Sequence, residues 1–279
     1  MNAVASGLSP ELLNGTSVFI TGGGSGINLG IARCFAQVGA DVAICGRTAE
    51  RLEAAAKELE DLGARVSTSV ADVRDPDSVA TSFIKARNDI GPMSTVVCGA
   101  AGNFLAPAEK MSSKGFRTVV DIDLLGSFHT AQAAFDQLKE TRGSLLFISA
   151  GQSDAPYLYQ AHVGAAKAGI DSLMRHLAVE WGPHGIRSNA IVPGPIEGTE
   201  GMRRLAAQVG RRAWTDSIAL GRFGSPEELG AMAVVLASPL ASFVTGARIV
   251  VDGGLALSGS GMFNRALADA WADHAQDGA

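Results

Sequence analysis

Four glycines near the start of the chain are spaced for contact with a phosphate. They are Gly22, Gly23, Gly24 and Gly26, in the run VFITGGGSGINLG. Glycine lacks a Cβ, so it adopts backbone angles that other residues avoid and lets the chain approach a pyrophosphate closely. A helical pattern follows, and the free N–H groups and positive dipole end of a helix attract anions. This stretch therefore indicates anion binding.

Two other places carry charged side chains in apolar surroundings. Lys167 lies on the apolar face of a long helical pattern, where a lysine either reaches towards solvent or is held by a ligand. Asp121 and Asp123 lie in an otherwise apolar helical run, 119–125. Residues two apart on a helix point to nearly opposite sides, so only one of these carboxylates is expected to face a crevice. The alternative is a carboxylate that caps or pairs at a helix bend before Gly126.

An alternation of strands and helices must position these residues. Strand-like runs occur at 18–21, 42–45, 66–70, 95–98, 145–149, 188–192 and 248–251, with helical patterns between nearly all of them. Such alternation predicts right-handed crossovers and a doubly wound parallel sheet, an α/β fold covered on both faces. The second run follows the first where a βαβ unit would place it, which favours a dinucleotide site over a simple tight turn.

Composition bounds the classes of partner. The chain has 279 residues, of which 47% are hydrophobic, and a net charge of −5. This length and composition predict a single domain over 1–279. The acidic balance argues against nucleic acid or an anionic membrane as the main partner, and no apolar run approaches the length of a membrane span.

The cysteines and the chain ends bear on compartment. Cys34, Cys45 and Cys98 are odd in number, lack metal spacing and sit in apolar patterns, which favours buried thiols in a reducing compartment. We expect no disulfide and no metal site. No Lys or Arg precedes Arg33 and the chain ends in no recognised organelle address, so we expect a cytoplasmic location.

Several motifs together resemble the short-chain dehydrogenase/reductases. They are Thr21-Gly-Gly-Gly-Ser-Gly-Ile, Lys167 near the start of a long helix, Pro193-Gly194 after the sixth strand and Val251-Asp-Gly-Gly. The resemblance runs from about residue 12 to 257. It implies a seven-stranded Rossmann sheet, a nicotinamide cofactor and a homotetramer.

Longer strings resemble the peroxisomal-type 2,4-dienoyl-CoA reductases of fatty acid metabolism. They are AAGNFL at 100–105, DID at 121–123, RHLAVEWGP at 175–183 and PGPIEGTEG at 193–201. This resemblance implies a conjugated acyl-CoA thioester as substrate. Most members of the wider family have a tyrosine where this chain has Val163 and a serine where it has Ala150. Neither side chain here can protonate an alkoxide, so ordinary alcohol–ketone chemistry lacks its acid.

The end of the second strand bears on the choice of cofactor. An NAD site would want a carboxylate there, whereas Arg47 can meet a phosphate, which favours NADP(H). The alternative is that Arg47 pairs with Glu50 or Glu53 on the surface. Asn28 stands at the third glycine of the family's loop, where it adds a side chain near the expected pyrophosphate.

The resemblance also implies roles for individual residues. Asp123 is the candidate acid, and Lys167 would hydrogen-bond the nicotinamide ribose and position the hydride. The expected cofactor-binding residues are Gly22, Gly24, Ser25, Gly26, Ile27, Arg47, Asp72, Val73, Ala100, Ala101, Gly102, Lys167, Pro193, Gly194, Ile196 and Thr199. The expected substrate-binding residues are Asn103, Phe104, Gln152, Tyr157, Tyr159 and His162.

The sequence leaves several alternatives open. The polar stretch 197–214 is a candidate substrate lid, and its arginines (Arg203, Arg204, Arg211 and Arg212) either contact CoA phosphates or are solvated lid charges. A carbonyl or enoyl reductase that borrows Tyr157 or Tyr159 as acid is a rival enzyme. An NADP(H)-binding protein without catalysis is the rival outside enzymes, suggested by Ala150 and Val163.

Overall fold

A seven-stranded parallel sheet forms the centre of the protein. The computed structural model describes residues 7–199, 202–203 and 210–260. The strands are β1 Ser17–Thr21, β2 Asp41–Gly46, β3 Val66–Val70, β4 Thr95–Cys98, β5 Ser144–Ile148, β6 Arg187–Pro193 and β7 Arg248–Val251. Their spatial order is β3-β2-β1-β4-β5-β6-β7, and every pair is parallel. The predicted doubly wound Rossmann sheet is confirmed, with strand ends within one residue of those expected.

Helices cover both faces of the sheet. They are α1 Gly26–Gln37, α2 Ala49–Asp61, α3 Pro76–Ile90, α4 Ser113–Val120, α5 Gly126–Thr141, α6 Ala161–Trp181, α7 Arg211–Thr215 and α8 Pro226–Ala237. A single π-helical segment, Asp121–Leu125, joins α4 to α5. None of the described helices is long and apolar enough to cross a membrane.

Two hydrophobic layers hold the helices to the sheet because successive strand residues point to opposite faces. Val18 and Ile20 of β1 pack with α1 and α8, whereas Phe19 between them faces the layer formed with α3, α5 and α6. Phe19 stacks on Phe83 of α3 with ring centroids 4.0 Å apart. The central strands β1, β2, β4 and β5 are buried on both faces by these layers, so they read as near-continuous apolar runs.

The three cysteines are buried in these layers. Cys34 lies on α1, Cys45 on β2 and Cys98 on β4, and all three are free thiols. Burial raises the pKa of Cys34 and of Cys45 to about 12 and also raises that of Cys98, so none forms a reactive thiolate near neutral pH.

The topology fixes where a ligand must bind. Strand order reverses between β1 and β4. From β1 the chain continues towards the β3 edge of the sheet, and from β4 it continues towards the β7 edge. In a doubly wound sheet, the crevice outside the carboxyl ends of the strands opens at that switch point. The loops after β1, β2, β4, β5 and β6 therefore converge on one edge.

Candidate active site

A cavity of about 870 Å³ lies at the carboxyl ends of the strands. All but one of the predicted cofactor-binding residues line it: Gly22, Gly24, Ser25, Ile27, Arg47, Asp72, Val73, Ala100, Ala101, Gly102, Lys167, Pro193, Gly194, Ile196 and Thr199. Gly26 lies at the first position of α1, just behind the wall. The fold thus brings residues from distant parts of the chain to one crevice.

The glycine turn is shaped to receive an anion. Gly22 and Gly26 have φ of 71° and 60°, a region that residues with a Cβ rarely adopt. Ser25 caps α1 without a side-chain hydrogen bond, and the first turn of α1 has no acidic residue. The N–H groups of that turn are therefore left for a ligand, as the pyrophosphate of a dinucleotide requires.

Two arginines lie at the β2 end of the cavity. Arg47 and Arg51 are both exposed and both line it, and neither Glu50 nor Glu53 pairs with Arg47. Arg51 escaped the sequence analysis, although its place one helical turn beyond Arg47 was a signal. The two guanidinium groups give this end of the cavity the positive charge that suits a phosphate.

Asp72 follows β3 on the same side of the cavity. Its carboxylate accepts hydrogen bonds from Arg74 Nε at 3.0 and 3.1 Å. These side-chain hydrogen bonds are the main cause of a lowered pKa for Asp72, to which the charge of Arg47 also contributes. Asp72 is therefore ionised and held in place at the cavity wall.

Asp123 and Lys167 form a buried ion pair at the centre of the site. Asp123 is fully buried, and Lys167 is 5% exposed. The distance from Lys167 Nζ to Asp123 Oδ2 is 3.2 Å, and Nζ also donates to the carbonyl of Ile148 at 2.9 Å. Asp123 Oδ1 accepts the backbone N–H of Gly102 at 2.7 Å. The two opposite charges offset part of each other's desolvation cost, so both side chains can be buried away from solvent.

One oxygen of this pair retains accepting capacity. The contact between Lys167 Nζ and Asp123 Oδ2 has the distance of an ion pair but not the angles of a hydrogen bond. Oδ2 accordingly has no hydrogen-bond partner among the described residues. A carboxylate oxygen with a free lone pair beside a cavity can accept a hydrogen bond from a water molecule or from the substrate.

The π-helical segment explains how Asp123 reaches the site. The N–H of Gly126 bonds to the carbonyl of Asp121, five residues back, which widens the helix over this turn. Asp123 then lines the cavity, whereas Asp121 does not. Of these two carboxylates, only one therefore faces the crevice, as expected. The sequence predicted an ordinary helix here. Single π turns are frequent at functional sites because they redirect one side chain.

The usual hydroxyl groups of the wider family are absent from the wall. Ala150 and Val163 both line the cavity, and Val163 is 3% exposed against Val119 and Ala166. Ser149, the preceding residue, also lines it, but its Oγ is shielded and has no hydrogen-bond partner among the described residues. The Asp123–Lys167 pair lines the same cavity as these two aliphatic side chains, as does Tyr157.

Three predicted substrate-binding residues line the cavity beyond this pair: Asn103, Gln152 and Tyr157. Gln160 Oε1 accepts from Gln152 Nε2 at 2.9 Å and from Asn103 Nδ2 at 3.4 Å, which ties the loops after β4 and β5 together. Burial, and then the negative charge of Asp252, raise the pKa of Tyr157.

The other three lie outside the cavity wall. His162 is fully buried on α6 and packs against Phe104 with ring centroids 4.4 Å apart. Burial lowers the pKa of His162, opposed by the Phe104 backbone and by the charge of Asp123, so the imidazole is neutral near pH 7. Tyr159 is 52% exposed with a φ of 66°, and its carbonyl accepts the N–H of Ala106. Their roles towards substrate remain predictions.

The candidate lid is described only in part. Residues 200–201 and 204–209, including Arg204, lie outside the described residues. Thr199 lines the cavity and accepts the N–H of Met202 at 3.3 Å, so it also forms a local turn. Arg211 Nη1 donates to Glu197 Oε1 at 2.8 Å, and Arg211 Cζ lies 4.6 Å from the Phe223 ring centroid, while the side chains of this pair stay exposed.

Arg248 is a second residue that the sequence analysis missed. From β7 it reaches Asp171 Oδ2 with Nε and Ser153 Oγ with Nη2, both at 2.9 Å, and it pairs with Asp154. Its contacts fix the segment after β5, which carries Gln152, to helix α6. No local motif signals this role because the partners lie far away in the chain.

Comparison with known proteins identifies the class to which this site belongs. The family described as "Enoyl-(Acyl carrier protein) reductase" matches residues 22–256. Together with the sheet order, the glycine turn and Lys167, this match shows that the chain belongs to the short-chain dehydrogenase/reductase family of oxidoreductases. This family binds a nicotinamide cofactor, and the cavity is the candidate site for it.

Among curated relatives, the resemblance to 2,4-dienoyl-CoA reductases is confirmed. The chain is 43% identical over 250 residues to the peroxisomal 2,4-dienoyl-CoA reductase SPS19 [(3E)-enoyl-CoA-producing] of Saccharomyces cerevisiae, covering 88% of this chain and 86% of that protein. It is 42% identical over 245 residues to a probable 2,4-dienoyl-CoA reductase [(2E)-enoyl-CoA-producing] of Bacillus subtilis, covering 85% and 95%.

Solved structures agree with the fold. A short-chain dehydrogenase from Bacillus anthracis matches with a TM-score of 0.78 and 37% identity, over 86% of this chain and 96% of that one. An NADPH-bound short-chain oxidoreductase from Pseudomonas aeruginosa, described as containing an atypical catalytic centre, matches with a TM-score of 0.82 and 30% identity, over 88% and 98%.

Proposed function

We propose that this protein is an NADPH-dependent reductase of conjugated 2,4-dienoyl-CoA thioesters. The observation that carries the proposal is the buried Asp123–Lys167 pair beside a cavity whose usual hydroxyl positions are Ala150 and Val163. Such a site lacks the acid for a carbonyl but retains an ionisable pair for protonating carbon. The dienoyl-CoA reductases named among the relatives support the same substrate class.

The proposed reaction divides between cofactor and chain. When bound, the reduced nicotinamide supplies a hydride to the distal carbon of the diene. The electron pair moves to the thioester oxygen as an extended enolate, and the carbon next to the thioester takes a proton, which gives a 3-enoyl-CoA. Asp123 in its carboxylic acid form gives up that proton, directly or through a water at Oδ2, and becomes the carboxylate of the ion pair with Lys167. Solvent returns the proton before the next turnover. Lys167 orients the nicotinamide ribose and stabilises the carboxylate that forms as the proton leaves.

The test is a substrate screen with product analysis. NADPH oxidation should be fast with a 2,4-dienoyl-CoA and negligible with simple ketones and aldehydes. NMR of the product should show the new double bond between carbons 3 and 4. Turnover of ketones or enones alone would overturn the proposal, and tight cofactor binding without any turnover would favour a binding protein.

Preference for NADPH is proposed to depend on Arg47. Arg47 is exposed, lines the cavity and forms no ion pair with any carboxylate of the described residues. It can therefore form charge-assisted hydrogen bonds with the ribose phosphate, worth about 1.5 to 3 kcal/mol. The Arg47→Ala variant should therefore bind NADPH about 10- to 100-fold more weakly, as those energies imply, and bind NADH as before. Fluorescence titration with both cofactors measures the two dissociation constants.

A matched variant sharpens this prediction. Arg74 is also an arginine near the cavity, but its guanidinium is bound to Asp72. The Arg74→Ala variant should affect NADPH much less than Arg47→Ala. Equal losses for NADPH and NADH in Arg47→Ala would contradict the assignment, and Arg51 would then be the next candidate.

The alternative hypothesis, in which Tyr157 is the acid, predicts a different effect of Tyr157→Phe on turnover. Its raised pKa makes Tyr157 a weaker donor than the phenol of the usual family dyad. Turnover of Tyr157→Phe should therefore fall by less than about tenfold, whereas loss of a general acid costs about 10²-fold or more. Steady-state kinetics with a dienoyl-CoA measures the difference. A loss of the larger size would transfer the acid role to Tyr157.

We also propose a homotetramer in the cytoplasm, acting in fatty acid metabolism. Leu125 and Phe128, at the start of α5, are 42% and 41% exposed, and burying such neighbouring apolar side chains favours a subunit contact. Light scattering coupled to size exclusion should give four times the chain mass. A tagged chain recovered in an organelle fraction would contradict the cytoplasmic location.

A further inference from the structure

Asn28 occupies the place of a glycine in the phosphate-binding loop. Its backbone angles do not explain why asparagine stands there. It is the third residue of α1, and the positive-φ residues other than glycine in the described chain are Arg142 and Tyr159. The side chain turns towards the end of β4, where Nδ2 donates to the carbonyl of Gly99 at 2.8 Å. The sequence had indicated only a side chain near the pyrophosphate.

Gly99 is the matching half of this contact. A Cβ built on Gly99 would lie 2.2 Å from Asn28 Oδ1 and 2.6 Å from its Cγ, far inside van der Waals contact. The amide of Asn28 therefore fills the space that a side chain at position 99 would occupy. The two positions are complementary, since a residue larger than glycine at 99 excludes the observed place of Asn28.

The contact fixes a single peptide group. Asn28 holds the carbonyl of Gly99, while Thr21 Oγ1 accepts the N–H of Ala100, on the other end of the same peptide, at 3.2 Å. Thr21 Oγ1 also accepts the N–H of Gly99 at 3.0 Å. A peptide that follows glycine rotates easily, so two side chains are needed to hold it in one orientation.

This peptide lies where the two halves of the site meet. Asn28 and Ala100 both line the cavity, on the phosphate side and on the loop after β4. Two residues further on, the N–H of Gly102 donates to Asp123 Oδ1 at 2.7 Å. The orientation of the Gly99–Ala100 peptide therefore bears on both the cofactor-binding wall and the catalytic carboxylate.

We propose that Asn28 is a positioning residue that, together with Thr21, locks the Gly99–Ala100 peptide and so sets the loop after β4 for cofactor binding. The lock involves the part of the site that NADH and NADPH share. It is therefore independent of the role proposed for Arg47 and of the identity of the substrate.

The first experiment compares Asn28→Gly and Asn28→Asp with wild type. Asn28→Gly removes the donor to Gly99, and affinity for NADPH and NADH should fall alike, by about five- to tenfold, as expected for one buried hydrogen bond. Asn28→Asp keeps the shape but sets an acceptor against the Gly99 carbonyl, so its loss should be larger. Isothermal titration measures both affinities, and thermal unfolding without cofactor measures stability.

Ser238→Ala serves as the stability control. Ser238 caps the turn after α8, outside the cavity, by accepting the N–H of Leu240 at 3.2 Å. Loss of the cap should lower the unfolding midpoint, and this variant should bind both cofactors as wild type does. The proposal is overturned if Asn28→Gly and Asn28→Asp lower the unfolding midpoint in the same way while leaving both cofactor affinities unchanged.

The second experiment tests the matched pair. Gly99→Ala should weaken both cofactors more than tenfold because its Cβ displaces the Asn28 amide, and adding Asn28→Gly should recover part of that loss. Thr21→Val and Asn28→Gly act on one peptide, so the double variant should lose less than the product of the single losses. Strictly multiplicative losses, or no recovery of Gly99→Ala, would show that no such lock exists.

Discussion

The Asp123→Asn variant is expected to lose about 10²-fold or more of its turnover while binding NADPH within about threefold of wild type. Asparagine keeps the shape of the side chain and can still accept the N–H of Gly102, which holds Asp123 Oδ1 at 2.7 Å. It removes the ionisable carboxyl group that lines the cavity. Because Ala150 and Val163 offer no replacement, the enolate loses its proton donor.

The measurements that check this are single-turnover kinetics, cofactor titration and the pH profile of turnover. The limb of the pH profile that depends on the Asp123 carboxyl group should be absent in Asp123→Asn. When the reaction is run in deuterium oxide, deuterium at the product carbon next to the thioester would show that solvent still supplies the proton. Full dienoyl-CoA reductase activity in Asp123→Asn would move the acid role to Tyr157, Tyr159 or bulk water.

Replacement of Lys167 by methionine is expected to damage both stability and function. Lys167 is 5% exposed and compensates a fully buried carboxylate, so Lys167→Met leaves Asp123 as an unpaired buried charge. Breaking such a pair from one side costs about 3–5 kcal/mol of the free energy of unfolding. The apparent constant for NADPH should rise and turnover should fall together, because a misplaced nicotinamide misaligns the reacting atoms.

The double variant Lys167→Met/Asp123→Asn separates these effects. It removes both charges, so much of the lost stability should return, as chemical denaturation can measure. Turnover and cofactor affinity should remain low, since neither the ribose contact nor the proton donor is restored. If Lys167→Met alone leaves stability, affinity and turnover unchanged, then the lysine has no role in the site and the ion pair is incidental.

The sequence alone was sufficient to predict the α/β architecture and to show that the usual hydroxyl side chains of the family's site are missing. Apolar runs such as 95–98 predicted the strands, because a strand buried on both faces has few polar positions. The glycines at 22 and 26 predicted the tight turn, because few other residues adopt its angles. Val163 and Ala150 showed directly that the usual acid is missing, since the kind of side chain decides whether a proton can be donated.

Only the tertiary structure decided which charges and side chains meet. The pairing of Asp123 with Lys167 requires a π turn and a helix that follows the next strand, and the Asn28–Gly99 contact joins two loops that are distant in the chain. Arg211, predicted as either a CoA contact or a solvated lid charge, pairs with Glu197 while its side chain stays exposed, and both alternatives remain predictions. Periodicity and turn chemistry act between near neighbours and are therefore legible in sequence. Contacts between distant segments depend on how the whole sheet brings its strand ends together, and no local pattern encodes that.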